Sequence, residues 1–77
     1  MSRYYFDLFD GRLHKDETGQ DLSDVSQVCV ETRRALADLV LHGTGPLSAI
    51  VRVRGDANQP VLTASISLSI DHPDTHH

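Results

Sequence analysis

The chain has no tryptophan, one cysteine, one methionine and four aromatic rings in 77 residues. A lone cysteine, Cys29, excludes an internal disulfide and a disulfide-built scaffold, and it suits a reducing compartment. No apolar run approaches the roughly 18–20 residues that span a bilayer. The N-terminus opens on Arg3-Tyr4-Tyr5-Phe6-Asp7, with no apolar signal core. The expected location is therefore the cytoplasm, with no membrane partner. Positive charge is also scarce: 7 Lys and Arg face 11 Asp and Glu, for a net charge of −4. A strongly cationic binder of nucleic acid is not the expectation. The chain has no Gly-x-Ser-x-Gly turn, phosphate-cradling glycine loop or paired-cysteine site. Neither catalysis nor a cofactor is expected.

What is present is one domain's worth of alternating and helical pattern. A chain this short buries only about 60% of its unfolded surface, so its core is thin. Residues 3–9 read as a strand, with Tyr4, Phe6 and Leu8 on one face and Tyr5, Asp7 and Phe9 on the other. Asp10-Gly11 suits a two-residue type I′ turn, with residues 12–16 as the return strand and Glu17 to Gln20 as a turn. A helix follows, capped by Ser23 or Asp24. Its apolar or small stripe runs through Val25, Val28, Cys29, Thr32, Leu36, Leu39 and Val40. His42-Gly43 ends it, with Gly43 able to take the left-handed conformation. Residues 47–54 and 60–70 alternate as two further strands. Leu62, Ala64, Ile66, Leu68 and Ile70 face one way, and Thr63, Ser65, Ser67 and Ser69 the other.

The expected fold is α+β, in the order β-β-α-β-β: a four-stranded antiparallel sheet with one helix on one face. The first and last strands, being the most apolar, are expected at the centre, in the spatial order 2-1-4-3. Residues 1–70 form the single domain, and 71–77 a flexible polar tail.

The segments RYYFDLFDG and DETGQDL, the Ala- and Leu-containing helix and the PVL start of the last strand resemble a family of small alphaproteobacterial proteins known as a domain of unknown function. The likeness runs from Arg3 to about Ile70. Its most specific parts are Arg3 to Asp7 (an RYFFD-type strand), Asp10-Gly11, Asp16 to Gly19 and Pro60 to Leu62. It implies the same fold, carries no activity to transfer and leaves function open. The chain is also similar to HicB-type antitoxins in its aromatic first strand, charged hairpin and helix. It differs from them in lacking a clear third strand before the helix and a C-terminal ribbon-helix-helix or helix-turn-helix segment.

A sheet with one helix leaves one face open, and Tyr5, Phe9, Ile50, Arg52 and Arg54 fall on it. They form the first candidate surface for a protein partner or a second copy. Val30, Ala37 and Leu41 form an apolar seam on the outer side of the helix, a second candidate for contact between two copies. The leading expectation is a small interaction module that self-associates as a dimer or binds another protein. The alternative is an antitoxin-like role or a platform for single-stranded nucleic acid, because rings beside arginines can stack bases and hold phosphates. His72, His76 and His77 with Asp71 and Asp74 have imidazole and carboxylate groups, but no rigid element positions them, so no metal is expected. Asp16, Glu17, Asp21 and Asp24 form an acidic loop whose spacing is that of turn chemistry, not of a calcium site.

Overall fold

The structure, a computed structural model, describes residues 1–71 and residue 73. His72, Asp74, His76 and His77 lie outside the described residues, and with them most of the expected tail.

The elements are β1 (Ser2–Phe9), β2 (Leu13–His14), β3 (Gln20–Leu22), α1 (Val25–His42), β4 (Leu47–Arg54) and β5 (Pro60–Leu68). The α+β class and the one helix among the described residues are as expected. The sheet is antiparallel, in the order β2-β1-β4-β5, and the short β3 also pairs with β1. The expected order 2-1-4-3 is overturned. The central partner of β1 is β4, with Phe6 opposite Val53 and Leu8 opposite Val51, and β5 is an edge. Absence of charge in β5 looked like burial. Its hydroxyl-bearing residues instead satisfy one solvated face, while Arg52 and Arg54 of β4 rise from the open face and leave Ala49, Val51 and Val53 buried beneath.

Pleat parity follows the alternation. Tyr4, Phe6, Leu8, Leu47, Leu62, Ala64 and Ile66 pack around the buried set Val28, Leu36, Ala49, Val51 and Val53. Asp24 caps α1, its side chain accepting from Gln27 N at 3.0 Å, and Gln27 Oε1 accepts from Ser23 N at 2.9 Å. The buried line of the helix is narrower than the stripe read from sequence: Val28, Thr32 and Leu36 are buried, and Leu39 is half-buried. The Thr32 hydroxyl donates to Val28 O at 2.8 Å, so its burial leaves no polar atom unpaired. Cys29 and Val40 lie roughly 60–80° round the helix from that line and are exposed, and Val25 is exposed in the first turn. Gly43 is extended (φ −96°), so the left-handed glycine after the helix is Gly45 (φ 86°).

Two turns differ from expectation, with consequences for the site. Phe9 pairs with Leu13, so Asp10, Gly11 and Arg12 make a three-residue loop with Gly11 at φ 99°. The return strand is also broken in two. Between β2 and β3 the chain leaves β1, and the Asp16 carboxylate takes over: Oδ2 accepts from Phe6 N at 3.0 Å, and Oδ1 from Thr18 N and Gly19 N, each at 3.0 Å. Gln20 then rejoins β1 opposite Tyr4. A third strand thus precedes the helix, where a turn leading straight to the helix cap was expected.

Gly19 makes this return possible. Its φ is +75°, and a Cβ there would meet Arg3 Cγ and Tyr5 Cε2 at 2.9 Å and Tyr4 O at 3.0 Å. Gly19→Ala is therefore expected to cost about 1–2 kcal/mol through positive-φ strain, before any clash is counted. A thermal melt matching that of the native chain would show that the segment relaxes freely.

Candidate interaction face

The face opposite α1 is built by the odd-numbered residues of β1 and the even-numbered residues of β4, brought level by register. Tyr5 stands opposite Arg54, Asp7 opposite Arg52, and Phe9 opposite Ile50. On β5, Thr63 and Ser65 continue the rows of Arg52 and Ile50. All five residues of the first candidate surface are thus on one face, but the face divides into two halves of different character.

The half nearer the start of β1 is internally committed. Arg54 Nε donates to Asp7 Oδ2 at 2.8 Å and Arg54 Nη2 to Asp16 O at 2.8 Å, while Asp16 N donates to Asp7 Oδ1 at 2.9 Å. The Arg54 guanidinium carbon lies 4.6 Å from the centre of the Tyr5 ring, a cation–π stack. Arg54 and Asp7 side chains are 21% and 18% exposed, so this pair is shielded from water. The Arg54 hydrogen bond holds the Asp7 carboxyl below its ordinary value, and Asp7 in turn raises Arg54. Partial burial pushes the Asp16 carboxyl up, but donation from the Gly19, Phe6 and Thr18 backbone outweighs it and leaves Asp16 lowered. Tyr5 and Arg54 are therefore structural members of a polar network that ties the broken edge strand to β4.

The other half is free. Phe9 is 48% exposed and Leu13 65%, Ile50 is half-buried and Arg52 is exposed. With Asp7 they line one shallow depression. Leu13, Phe9 and Ile50 form an apolar row across β2, β1 and β4, and Arg52 has no carboxylate partner among the described residues. Sequence reasoning missed Leu13 here. A two-residue turn would have set it opposite Leu8, on the core face; the third loop residue moves it to the open face, since a one-residue slip reverses every side chain.

The matched segment runs through this whole arrangement. A family profile described as a domain of unknown function, DUF6894, covers residues 3–67, from β1 into β5. The chain belongs to this family. The DUF6894 match therefore takes in the apolar row, Arg52 and the Asp7–Asp16–Arg54 network. No curated protein and no solved structure matches the chain.

The second candidate surface lies elsewhere. Val30 is 51% exposed and Leu41 75%, and Ala37 is exposed. Val30 and Ala37, with Arg33, Arg34 and Leu36, border an open groove whose floor includes Ile66 of β5. Leu41 lies beyond that groove. No helix among the described residues is long and apolar enough to cross a membrane.

Proposed function

We propose that this DUF6894 chain is a non-catalytic interaction module whose open sheet face receives a protein partner. The observation that supports this reading is the solvent-facing row Leu13–Phe9–Ile50 beside the unpaired Arg52. A large apolar side chain with a neighbouring carboxylate is the partner chemistry that such a row fits. Tyr5 and Arg54 drop out of the contact set, because each already covers the other. The same stacking weighs against a platform for single-stranded nucleic acid, which needs free rings and free guanidinium groups; one ring and one arginine remain. The HicB-like alternative gains a third strand before the helix, but it has no feature on this face that favours it. An exposed free thiol at Cys29 suits a reducing interior, and the module is read as cytoplasmic. Bacterial origin is read from the resemblance that runs from Arg3 to about Ile70.

Selection of displayed peptides on the immobilised chain tests the reading. The expected enrichment is for an acidic residue beside an aliphatic or aromatic one. Arg52→Glu should lose the acidic preference and Phe9→Ser the apolar one, with helix content unchanged by circular dichroism. No enrichment on the native chain, or the same enrichment on both variants, overturns it.

A further inference from the structure

The two edges of the sheet are treated differently. The β1 side is blunted by two short strands of two and three residues, interrupted by the Asp16 loop and carrying Lys15, Asp16 and Asp21 on or between them. These are the usual guards against edge pairing. The other edge is β5, nine residues long and, among the described residues, paired only with β4. Its guards are confined to its start, a proline at Pro60 and a register shift that leaves Val61 as the extra residue between the Val53–Leu62 and Arg54–Pro60 pairs, and it carries no charge from Val61 to Ile70. Its apolar side chains Val61, Leu62, Ala64, Ile66 and Leu68 are only half-buried, and the groove between Val30, Ala37 and Ile66 lies open beside α1.

We infer that β5 pairs antiparallel with β5 of a second copy, joining two sheets into one across a two-fold axis near Ala64. An unpaired edge calls for a strand, and this one calls for a strand with apolar residues toward the helix and hydroxyls away from it. β5 itself meets that description. With Ala64 opposite its own copy, Leu62 faces Ile66 and Thr63 faces Ser65, so the pairs flanking the axis meet their own kind, and the paired strands bring no charge of their own to bury or oppose. The axis keeps both helices on the same side of the joined sheet, and their Val30–Ala37 flanks line the space over the dyad. Arg34 at that flank is already paired with Glu31 at 2.9 Å. A thin core in so short a chain is completed by the area this association removes from water.

The open-face reading is not required for this pairing, and one set of variants separates the two. Light scattering on the eluting full chain should give twice the 8.5 kDa chain mass. Thr63→Lys with Ser65→Lys sets lysines opposite lysines across the axis and should weaken the dimer about tenfold or more, with helix content retained. Mixing that variant with Thr63→Glu, Ser65→Glu should restore a dimer, which excludes misfolding as the cause. Phe9→Ser and Arg52→Glu should leave the dimer intact. A native monomer, a dimeric lysine variant, no restoration on mixing, or dissociation by the open-face variants overturns the β5 pairing. The last of these would place self-association on the open face instead.

Discussion

Asp16→Ala is expected to lower the free energy of unfolding by about 2–4 kcal/mol, out of roughly 4–11 kcal/mol for a domain of this length. The carboxylate accepts three backbone N–H donors, and one of them, Phe6 N, sits at the point where β1 has no strand on its outer side, between the stretches paired with β3 and β2. Removing the side chain leaves Phe6 N and Gly19 N without a partner in half-buried positions, while the exposed Thr18 N can turn to water, and hydrogen bonds to charged acceptors are among the stronger ones. Asp16→Asn should be intermediate. An amide has one acceptor oxygen, so it can serve Thr18 and Gly19 or Phe6, but not both sides. Urea unfolding followed by circular dichroism measures both. An alanine variant within 0.5 kcal/mol (about the spread of neutral surface changes) would mean that water replaces the carboxylate without loss.

The same residue sets an acid response. Asp7 and Asp16 are both lowered from 3.8, so near and below that pH the unfolded chain binds more protons than the folded one. Their stabilising contribution is complete above the ordinary carboxyl value and is lost as pH falls through the lowered folded values. The native chain should therefore lose stability in this range, and Asp16→Asn should show a shallower fall over it.

Val51→Ala is the second large effect, expected at about 2–3 kcal/mol. Val51 is 1% exposed and sits at the middle of the central strand, opposite Leu8 on one side and Ala64 on the other. Two lost carbon groups account for about 1.6 kcal/mol of transfer free energy, and the remaining cost is the cavity between strands that the ladder prevents from closing. Val51→Thr keeps the shape and should still cost about 1–3 kcal/mol, since its hydroxyl would have to find an acceptor inside an apolar layer. Val25→Ala, on the helix and 53% exposed, is expected to stay within about 0.5 kcal/mol. Chemical unfolding of the three variants checks the order. Equal losses at Val25 and Val51 would contradict the placement of the core.

That contrast shows what could be read early. Val25, Cys29 and Val40 share a sequence stripe with Val28, Thr32 and Leu36, yet only the latter three are buried. A hydrophobic arc says that a helix has an inner side. It does not say where the rod sits on its sheet, and that seating decides which margin of the arc is wet. Leu13 makes the same point on the open face, where one extra loop residue moved it from the core side to the row with Phe9 and Ile50.

The one-dimensional pattern determined by itself the α+β class, the helix with a cap at Ser23 or Asp24, and the parity that turns Tyr4, Phe6, Val51 and Val53 inward and Phe9, Ile50 and Arg52 outward. Each follows from a short-range period of two or 3.6 residues, or from a local cap. Strand neighbours, the three-residue loop, the Asp16 bridge and the pairing that consumes Tyr5 and Arg54 were decided only in three dimensions. They depend on contacts between residues as far apart as Asp7 and Arg54, and no local period records which distant strand lies alongside.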